Sequence, residues 1–200
     1  MNQGSQHGQD EWVLSHYSKG TFLDVGCGDG QFLSNTLKLE SLGWEGIAID
    51  AFPKNFESRI HTRVVSAVVY SLKNKVVQFL VPQEAELAGI VSHLTDLHRE
   101  SVLATPHQFK TIKTELLHEI LDGLEAPRFI EYLSLDIEGA EYEVLKVFPF
   151  DRYRFGCMTI EHNYQEPQRS LVRSLLAKHG YSLARSVKCD DWFLSDSLVT

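Results

Sequence analysis

The sequence has few cysteines, no long apolar run and no excess of positive charge, and each absence excludes a class of protein. Its three cysteines, Cys27, Cys157 and Cys189, lie far apart and form no CxxC pair, so neither a zinc cluster nor a disulfide framework is expected. No apolar run approaches the roughly 20 residues that cross a bilayer, and the polar start lacks the layout of a secretory signal. We therefore expect a cytoplasmic protein without a membrane span.

The composition is that of an ordinary globular protein. A net charge of −8 argues against nucleic acid as a partner, because phosphate binding requires clustered lysine and arginine. The hydrophobic fraction of 43% and the charged fraction of 23% are typical of folded proteins. A length of 200 residues predicts one domain spanning 1–200.

The order of predicted elements indicates an α/β fold. Apolar runs predict buried strands at residues 21–25, 46–49, 64–70, 75–81, 130–135 and 156–160, with closing strands at 181–187 and 192–194. The strand at 75–81 is expected to form a hairpin with the third strand. Helices are predicted at 31–42, 53–60, 115–124, 140–148 and 167–179. Residues 82–108 match no pattern and are interpreted as an insertion or lid loop. Alternating strands and helices favour a mostly parallel sheet with helices on both faces and an antiparallel edge at the carboxyl end of the chain.

Four acidic residues follow or end predicted strands on one rim of this sheet. They are Asp24, Asp50, Asp136 and Glu161. Ligands of open α/β sheets bind outside the carboxyl ends of the strands, near the point where strand order reverses. This rim is therefore the predicted site.

The segment from Asp24 to Gly30 is the sharpest local signal. Glycines at alternating positions allow a tight turn and let a ligand lie against the backbone, and Cys27 is interpreted as a small residue that fits this turn. A nicotinamide site would require G-x-G-x-x-G, but the sixth position counted from Gly26 is Gln31. Asp24 suits a ligand with an ammonium group, and Asp50 is placed to accept hydrogen bonds from a ribose.

Four stretches carry a likeness to a known family. They read SQHGQD at 5–10, FLDVGCGDG at 22–30 with SNT at 34–36, GWEGIAID at 43–50 and LSLDIEGAE at 133–141. Together they resemble the FkbM-type methyltransferases, a branch of the class I S-adenosylmethionine-dependent fold. The last stretch is similar to the D-x-E-G-x-E signature of that family. One departure is that Asp50 is followed by Ala51, Phe52 and Pro53, where the family often has Glu and then Pro.

The resemblance implies a Rossmann-like, seven-stranded methyltransferase fold and the methylation of a hydroxyl on a sugar, glycan or polyketide-like metabolite. The residues expected to contact S-adenosylmethionine are Asp24, Gly26, Cys27, Gly28, Gly30, Asp50, Ala51, Phe52, Ala67 and Asp136. Two other functions stay open: a binding protein that has lost catalysis and a nicotinamide oxidoreductase. Acceptor choice is expected to depend on residues 82–108.

A second group of polar residues follows the predicted strands at 130–135 and 156–160. Asp136 and Glu138 follow one strand, and Glu161, His162 and Asn163 follow the next. Asp136, Glu138 and His162 are the candidate catalytic residues, because an alcohol becomes a nucleophile when a base removes its proton. Alternatively, Asp136 and Glu161 could bind Mg²⁺ together with either His162 or Asn163, with Asn163 as the preferred third ligand. The histidines His93, His98, His107 and His118 show no metal spacing and are predicted to be loop or surface residues.

Overall fold

The computed structural model describes residues 4–83 and 87–198. Its elements in chain order are α1 (Gln9–Leu14), β1 (Thr21–Val25), α2 (Leu37–Ser41), β2 (Glu45–Asp50), β3 (Thr62–Ser66), β4 (Val68–Val69), β5 (Val76–Pro82), β6 (Gly89–Ile90), α3 (Asp96–Leu103), β7 (His107–Glu115), α4 (Leu117–Gly123), β8 (Phe129–Leu135), α5 (Glu141–Leu145), β9 (Arg154–Glu161), α6 (Gln168–Lys178), β10 (Tyr181–Val187) and β11 (Asp190–Ser195). A short 3₁₀ helix, Asp196–Leu198, follows.

The larger sheet has seven strands in the order β10-β11-β9-β8-β1-β2-β3. Strands β3, β2, β1, β8 and β9 run parallel, whereas β11 and β10 add an antiparallel edge. Strand order reverses between β1 and β8, so the carboxyl ends of both strands flank one crevice. The predicted fold class is confirmed: this is the mostly parallel, seven-stranded sheet of a class I methyltransferase fold.

The central strands are buried on both faces, which explains their nearly continuous apolar runs. Alternate side chains of β1 point to opposite faces. Leu23 and Val25 join a large core with residues of α4 and α6. Phe22 packs on the other face with Trp12 of α1 and Trp44. The rigid centre of the sheet therefore fixes the positions where β1, β2 and β8 end.

A second sheet covers one side of the crevice. Its strands lie in the order β4-β7-β5-β6, so residues 82–108 are not a plain loop as expected, because they contain β6 and α3. The predicted hairpin between the third strand and residues 75–81 is wrong, since β5 pairs with β7 along its whole length. The predicted strand 64–70 is divided between β3, in the large sheet, and β4, in the second sheet.

Three predicted helices differ clearly from the structure: those at 31–42 and 53–60, and the one at 140–148, which is limited to α5 (Glu141–Leu145). Residues 31–36 form turns, and the helix begins at Leu37. Asp29 Oδ1 accepts the backbone N–H of Gln31 at 2.8 Å, and Ser34 Oγ accepts that of Leu37 at 3.2 Å. Such side-chain acceptors compete with helical hydrogen bonds. Residues 53–60 form no helix, and Asn55 there has a left-handed φ of 57°.

Within residues 4–83 and 87–198, none of the helices is long and apolar enough to cross a membrane.

Candidate active site

The first two glycines of the turn after β1 have different structural roles. Gly26 has a φ of 82°, and a Cβ built on it would lie 1.5 Å from the carbonyl oxygen of Asp136. Gly28 has a φ of 47°, but a Cβ there would meet no protein atom within 4 Å. Gly26 is therefore required by the packing of β1 against the end of β8, whereas Gly28 faces open space.

The carboxylate of Asp50 is fixed by the backbone around it. Its Oδ2 accepts the N–H of Gly28 at 3.0 Å, and its Oδ1 accepts the N–H of Phe52 at 2.6 Å. Burial raises the pKa of this carboxyl above its usual value, while these two hydrogen bonds lower it. The charge of Lys54 also lowers this pKa, and the two hydrogen bonds orient the group at the end of β2.

Asp50 lines an apolar cavity between the two sheets, which we call the inner cavity. Its walls include Ala51, Ala67, Val68, Ile90 and Ile137, and the glycine turn forms its floor at Gly26 and Gly28. An apolar space beside an oriented carboxylate suits a ring system that carries hydroxyl groups.

Four of the predicted cofactor residues do not line this cavity: Asp24, Cys27, Gly30 and Phe52. The ring of Phe52 packs against Phe79 at a centroid distance of 6.0 Å and beneath the ammonium group of Lys110 at 4.1 Å. The backbone N–H of Gly30 bonds the carbonyl oxygen of Lys54 at 2.8 Å. Phe52 and Gly30 thus support the walls of the site rather than line the inner cavity.

A second cavity, here called the outer cavity, meets the inner one at Gly26, Gly28, Asp136 and Glu138. It is lined further by residues that include Asp24, Cys27, Asn35, Phe32, Leu87 and Glu161. Asp24 is buried and accepts a hydrogen bond from Thr36 Oγ1 at 2.7 Å. Burial raises the pKa of Asp24 and also that of the Cys27 thiol, so Cys27 is not an activated nucleophile.

Three carboxyl groups converge where the two cavities meet. The side-chain oxygens of Asp136, Glu138 and Glu161 lie within 4.8 Å of one another, and we call this set the carboxyl cluster. Burial and the charge of Glu138 raise the pKa of Asp136 well above its usual value. Burial and the charge of Asp136 do the same to Glu161. Like charges this close cannot all stay ionised, so the cluster retains a proton or receives a cation.

Asn163 stabilises the carboxyl cluster as a donor. Its Nδ2 donates to Glu138 Oε2 at 3.1 Å and to Glu161 Oε2 at 2.6 Å. The amide thus turns its nitrogen, not its oxygen, toward the carboxylates. In this arrangement Asn163 is not an oxygen ligand for a metal ion.

His98 is a member of the site that the sequence analysis missed. Its Nδ1 lies 3.0 Å from Glu138 Oε2, and its Nε2 lies 2.9 Å from the carbonyl oxygen of Leu87. A carboxylate oxygen and a carbonyl oxygen both accept hydrogen bonds. Both ring nitrogens of His98 can therefore donate at once only when the ring carries a proton on each of them. The hydrogen bond to Glu138 raises the pKa of His98. His98 belongs to α3, so residues 82–108 contribute a polar group to the site.

His162 is directed away from the two cavities. Its Nδ1 accepts the N–H of Tyr164 at 2.9 Å, and its Nε2 faces Asp191 Oδ1 at 3.6 Å. It lines a separate small pocket with Arg169, and burial lowers the pKa of its ring. The structure therefore brings Asp136, Glu138, Glu161 and Asn163 together but leaves His162 outside the cavities.

The sheet order, the glycine turn and the acid after β2 define the class I methyltransferase fold. The sequence matches the family model described as Methyltransferase FkbM domain over residues 24–183. This chain therefore belongs to the FkbM methyltransferase family. No match is found among curated proteins or among solved structures.

Proposed function

We propose that this chain is an S-adenosylmethionine-dependent O-methyltransferase. The observation that carries the proposal is the meeting of two cavities at Gly26, Gly28, Asp136 and Glu138, with the glycine turn on one side and the carboxyl cluster on the other. Methyltransferases of this fold generally use S-adenosylmethionine, which supplies an electrophilic methyl group on a sulfonium sulfur. The inner cavity and part of the outer one would hold this cofactor, and the rest of the outer cavity would admit the acceptor.

The residues around the glycine turn fit the cofactor. The open space at Gly28 leaves room for a ligand against the backbone. Asp50, held by two N–H groups, would accept hydrogen bonds from the ribose. Ala51 and Ala67 would contact the adenine, and Asp24, Cys27 and Asp136 would face the methionine end.

The carboxyl cluster would supply the base. An alcohol oxygen attacks well when its proton leaves as the new C–O bond forms. Glu138 lines both cavities and would take the proton from the acceptor hydroxyl as the C–S bond breaks. His98 and Asn163 hold the carboxylate of Glu138 in place by hydrogen bonds. Asp136 and Glu161 would position the acceptor beside it.

The walls of the outer cavity favour a hydroxylated acceptor of small or glycan type. Phe32 and Leu87, which are 54% and 43% exposed, line this cavity together with the carboxyl cluster. An apolar wall facing a few polar groups is the usual arrangement of small-molecule sites. A sugar or a polyketide-like metabolite fits this arrangement because it presents an apolar face and hydroxyl groups together.

The first test concerns the cofactor. Asp50→Ala is expected to weaken S-adenosylmethionine binding by about 1 to 3 kcal/mol, because ribose hydroxyls and two backbone N–H groups lose their acceptor. Isothermal titration calorimetry measures the change. Asp151→Ala, which removes an exposed aspartate before β9, is the matched control and should bind as the wild type does. Equal affinity of Asp50→Ala and the wild type would refute the ribose assignment.

The second test distinguishes Glu138 as the base from two alternatives, activation of the acceptor by Mg²⁺ and proton removal by His162. The three carboxyls would suit a hard cation, but the amide nitrogen of Asn163 faces them, and we favour a base without Mg²⁺. Mg²⁺ added to EDTA-treated protein is expected to give no increase in rate. His162→Gln is expected to lower kcat by less than about tenfold, whereas loss of a positioned base costs about 10² to 10⁴. Recovery on addition of Mg²⁺ would instead support a metal at Asp136 and Glu161, and a large loss in His162→Gln would restore His162 as the base.

A further inference from the structure

Metal-ligating side chains from three distant segments meet beside the start of β11. Cys189 occupies the turn between β10 and β11, Asp190 is the first residue of β11, and Glu161 is the last residue of β9. One ligand atom from each lies within 4.8 Å of the other two. His7, in the segment before α1, approaches Cys189 with 3.9 Å between Nε2 and Sγ. Among these four, Glu161 alone lines the outer cavity.

The separations between these atoms suit a tetrahedral ion. Zinc binds sulfur at about 2.3 Å and imidazole nitrogen at about 2.0 Å, which places neighbouring ligand atoms about 3.5 Å apart in a tetrahedron. The Cys189 sulfur lies 3.9 Å from His7 Nε2 and 3.7 Å from Asp190 Oδ1. Cys189, Asp190 and Glu161 already lie within reach of one ion, and His7 would have to move toward it to complete the coordination. A thiolate and an imidazole select zinc over the hard cations Mg²⁺ and Ca²⁺.

Outer hydrogen bonds hold Asp190 in the orientation that a ligand needs. Its Oδ2 accepts from Gln9 Nε2 at 2.9 Å and from Trp192 Nε1 at 3.5 Å, while Oδ1 faces Cys189. The same Gln9 accepts the backbone N–H of His7 at 2.8 Å through Oε1. Ligating carboxylates in metal sites are commonly fixed in this way by a partner on their second oxygen.

The hydrogen-bond donors to the side chains of Asp190 and Glu161 are uncharged. Asp190 receives an amide, an indole and a thiol hydrogen, and Glu161 receives the amide of Asn163. A buried carboxyl group that has only neutral donors is stabilised further when a cation binds beside it.

We propose that Cys189, Asp190, Glu161 and His7 bind a thiophilic divalent cation of the zinc class. The sequence analysis predicts no zinc site, because the cysteines form no CxxC pair and His7 lies far from Cys189 in the chain. The ion joins the segment before α1 to β9 and β11. It thereby fixes Gln6 and Glu161 at the wall of the outer cavity. The site rests on its own geometry and does not depend on the proposed methyl transfer.

Cobalt(II) substitution tests the site directly. EDTA-treated, desalted protein is titrated with Co²⁺ and then with Zn²⁺. We expect one equivalent of Co²⁺ to produce a thiolate-to-cobalt charge-transfer band that Zn²⁺ abolishes. Cys189→Ser should lose the band, and His7→Ala and Asp190→Asn should each bind at least about tenfold more weakly. Circular dichroism melts of the metal-free proteins show whether each variant folds.

Matched controls separate this site from the other candidates. Cys27→Ser removes a thiol elsewhere, and His16→Ala removes an exposed histidine that follows α1. Both should keep the band. Absence of the band in the wild type, or its loss in Cys27→Ser but not in Cys189→Ser, would overturn the proposal. Binding without a charge-transfer band would place the ion at the carboxyl cluster and would also overturn it. None of these readouts depends on S-adenosylmethionine or turnover.

Discussion

Glu138→Gln is expected to lower kcat by about 10² to 10⁴, the usual contribution of a positioned proton acceptor. Glutamine keeps the size of the side chain and an oxygen that can accept from Asn163, but it cannot take a proton from the acceptor hydroxyl. The affinity for S-adenosylmethionine should change little, because the floor of the inner cavity and Asp50 are unaltered. Single-turnover rates and calorimetric affinities, measured on the same preparation, separate the two effects.

A matched glutamate serves as control for this prediction. Glu143 in α5 accepts hydrogen bonds from Ser71 Oγ at 2.8 Å and from Lys146 at 2.5 Å, and it lines neither cavity. Glu143→Gln should retain turnover. His98→Asn should show part of the kcat loss of Glu138→Gln, because it removes the bond that holds the carboxylate. Full turnover in Glu138→Gln would remove Glu138 from the reaction.

Gly28→Val is expected to abolish cofactor binding and leave the protein folded. A side chain at this position meets no protein atom, so it would occupy the space that the ligand needs. The left-handed φ adds a strain of about 1 to 2 kcal/mol, which a folded domain of this size tolerates. Circular dichroism melts report the fold, and calorimetry reports S-adenosylmethionine binding.

Gly26→Ala provides the contrasting variant. Its Cβ would lie 1.5 Å from the carbonyl oxygen of Asp136, so β1 and β8 would have to separate at the centre of the sheet. We expect Gly26→Ala to lose its cooperative melt, unlike Gly28→Val. If Gly28→Val unfolds instead, the turn is purely structural. If it binds the cofactor normally, the ligand does not lie against Gly28.

The fold class and the rim at which the acidic residues gather could be predicted from the sequence. The strands that end at Val25, Asp50 and Leu135 are buried on both faces. Such strands have nearly continuous apolar runs, which can be recognised from the sequence alone. Because parallel strands end on one rim, the sequence also placed Asp50, Asp136 and Glu161 there. The structure brings Asp136, Glu138 and Glu161 into one cluster as expected.

The parts that could not be predicted depend on tertiary contacts. Strand β7 contains only two apolar residues, Phe109 and Ile112, and much of its surface is exposed. Its pairing with β5 also spans a long segment without periodic signal. His98 reaches Glu138 from that same segment, and no local spacing connects the two. The direction of the His162 ring follows from its bond to the Tyr164 N–H, a turn contact that strand patterns do not reveal.

Transfer of a labelled methyl group tests the central claim most directly. The purified wild-type chain is incubated with methyl-labelled S-adenosylmethionine and a panel of hydroxylated sugars, glycans and polyketide-like metabolites, together with a cell extract. The account predicts acid-stable label in an acceptor as a methyl ether, with no transfer by Gly28→Val and strongly reduced transfer by Glu138→Gln. Cofactor binding without transfer to any acceptor, or transfer that Gly28→Val retains, would contradict it.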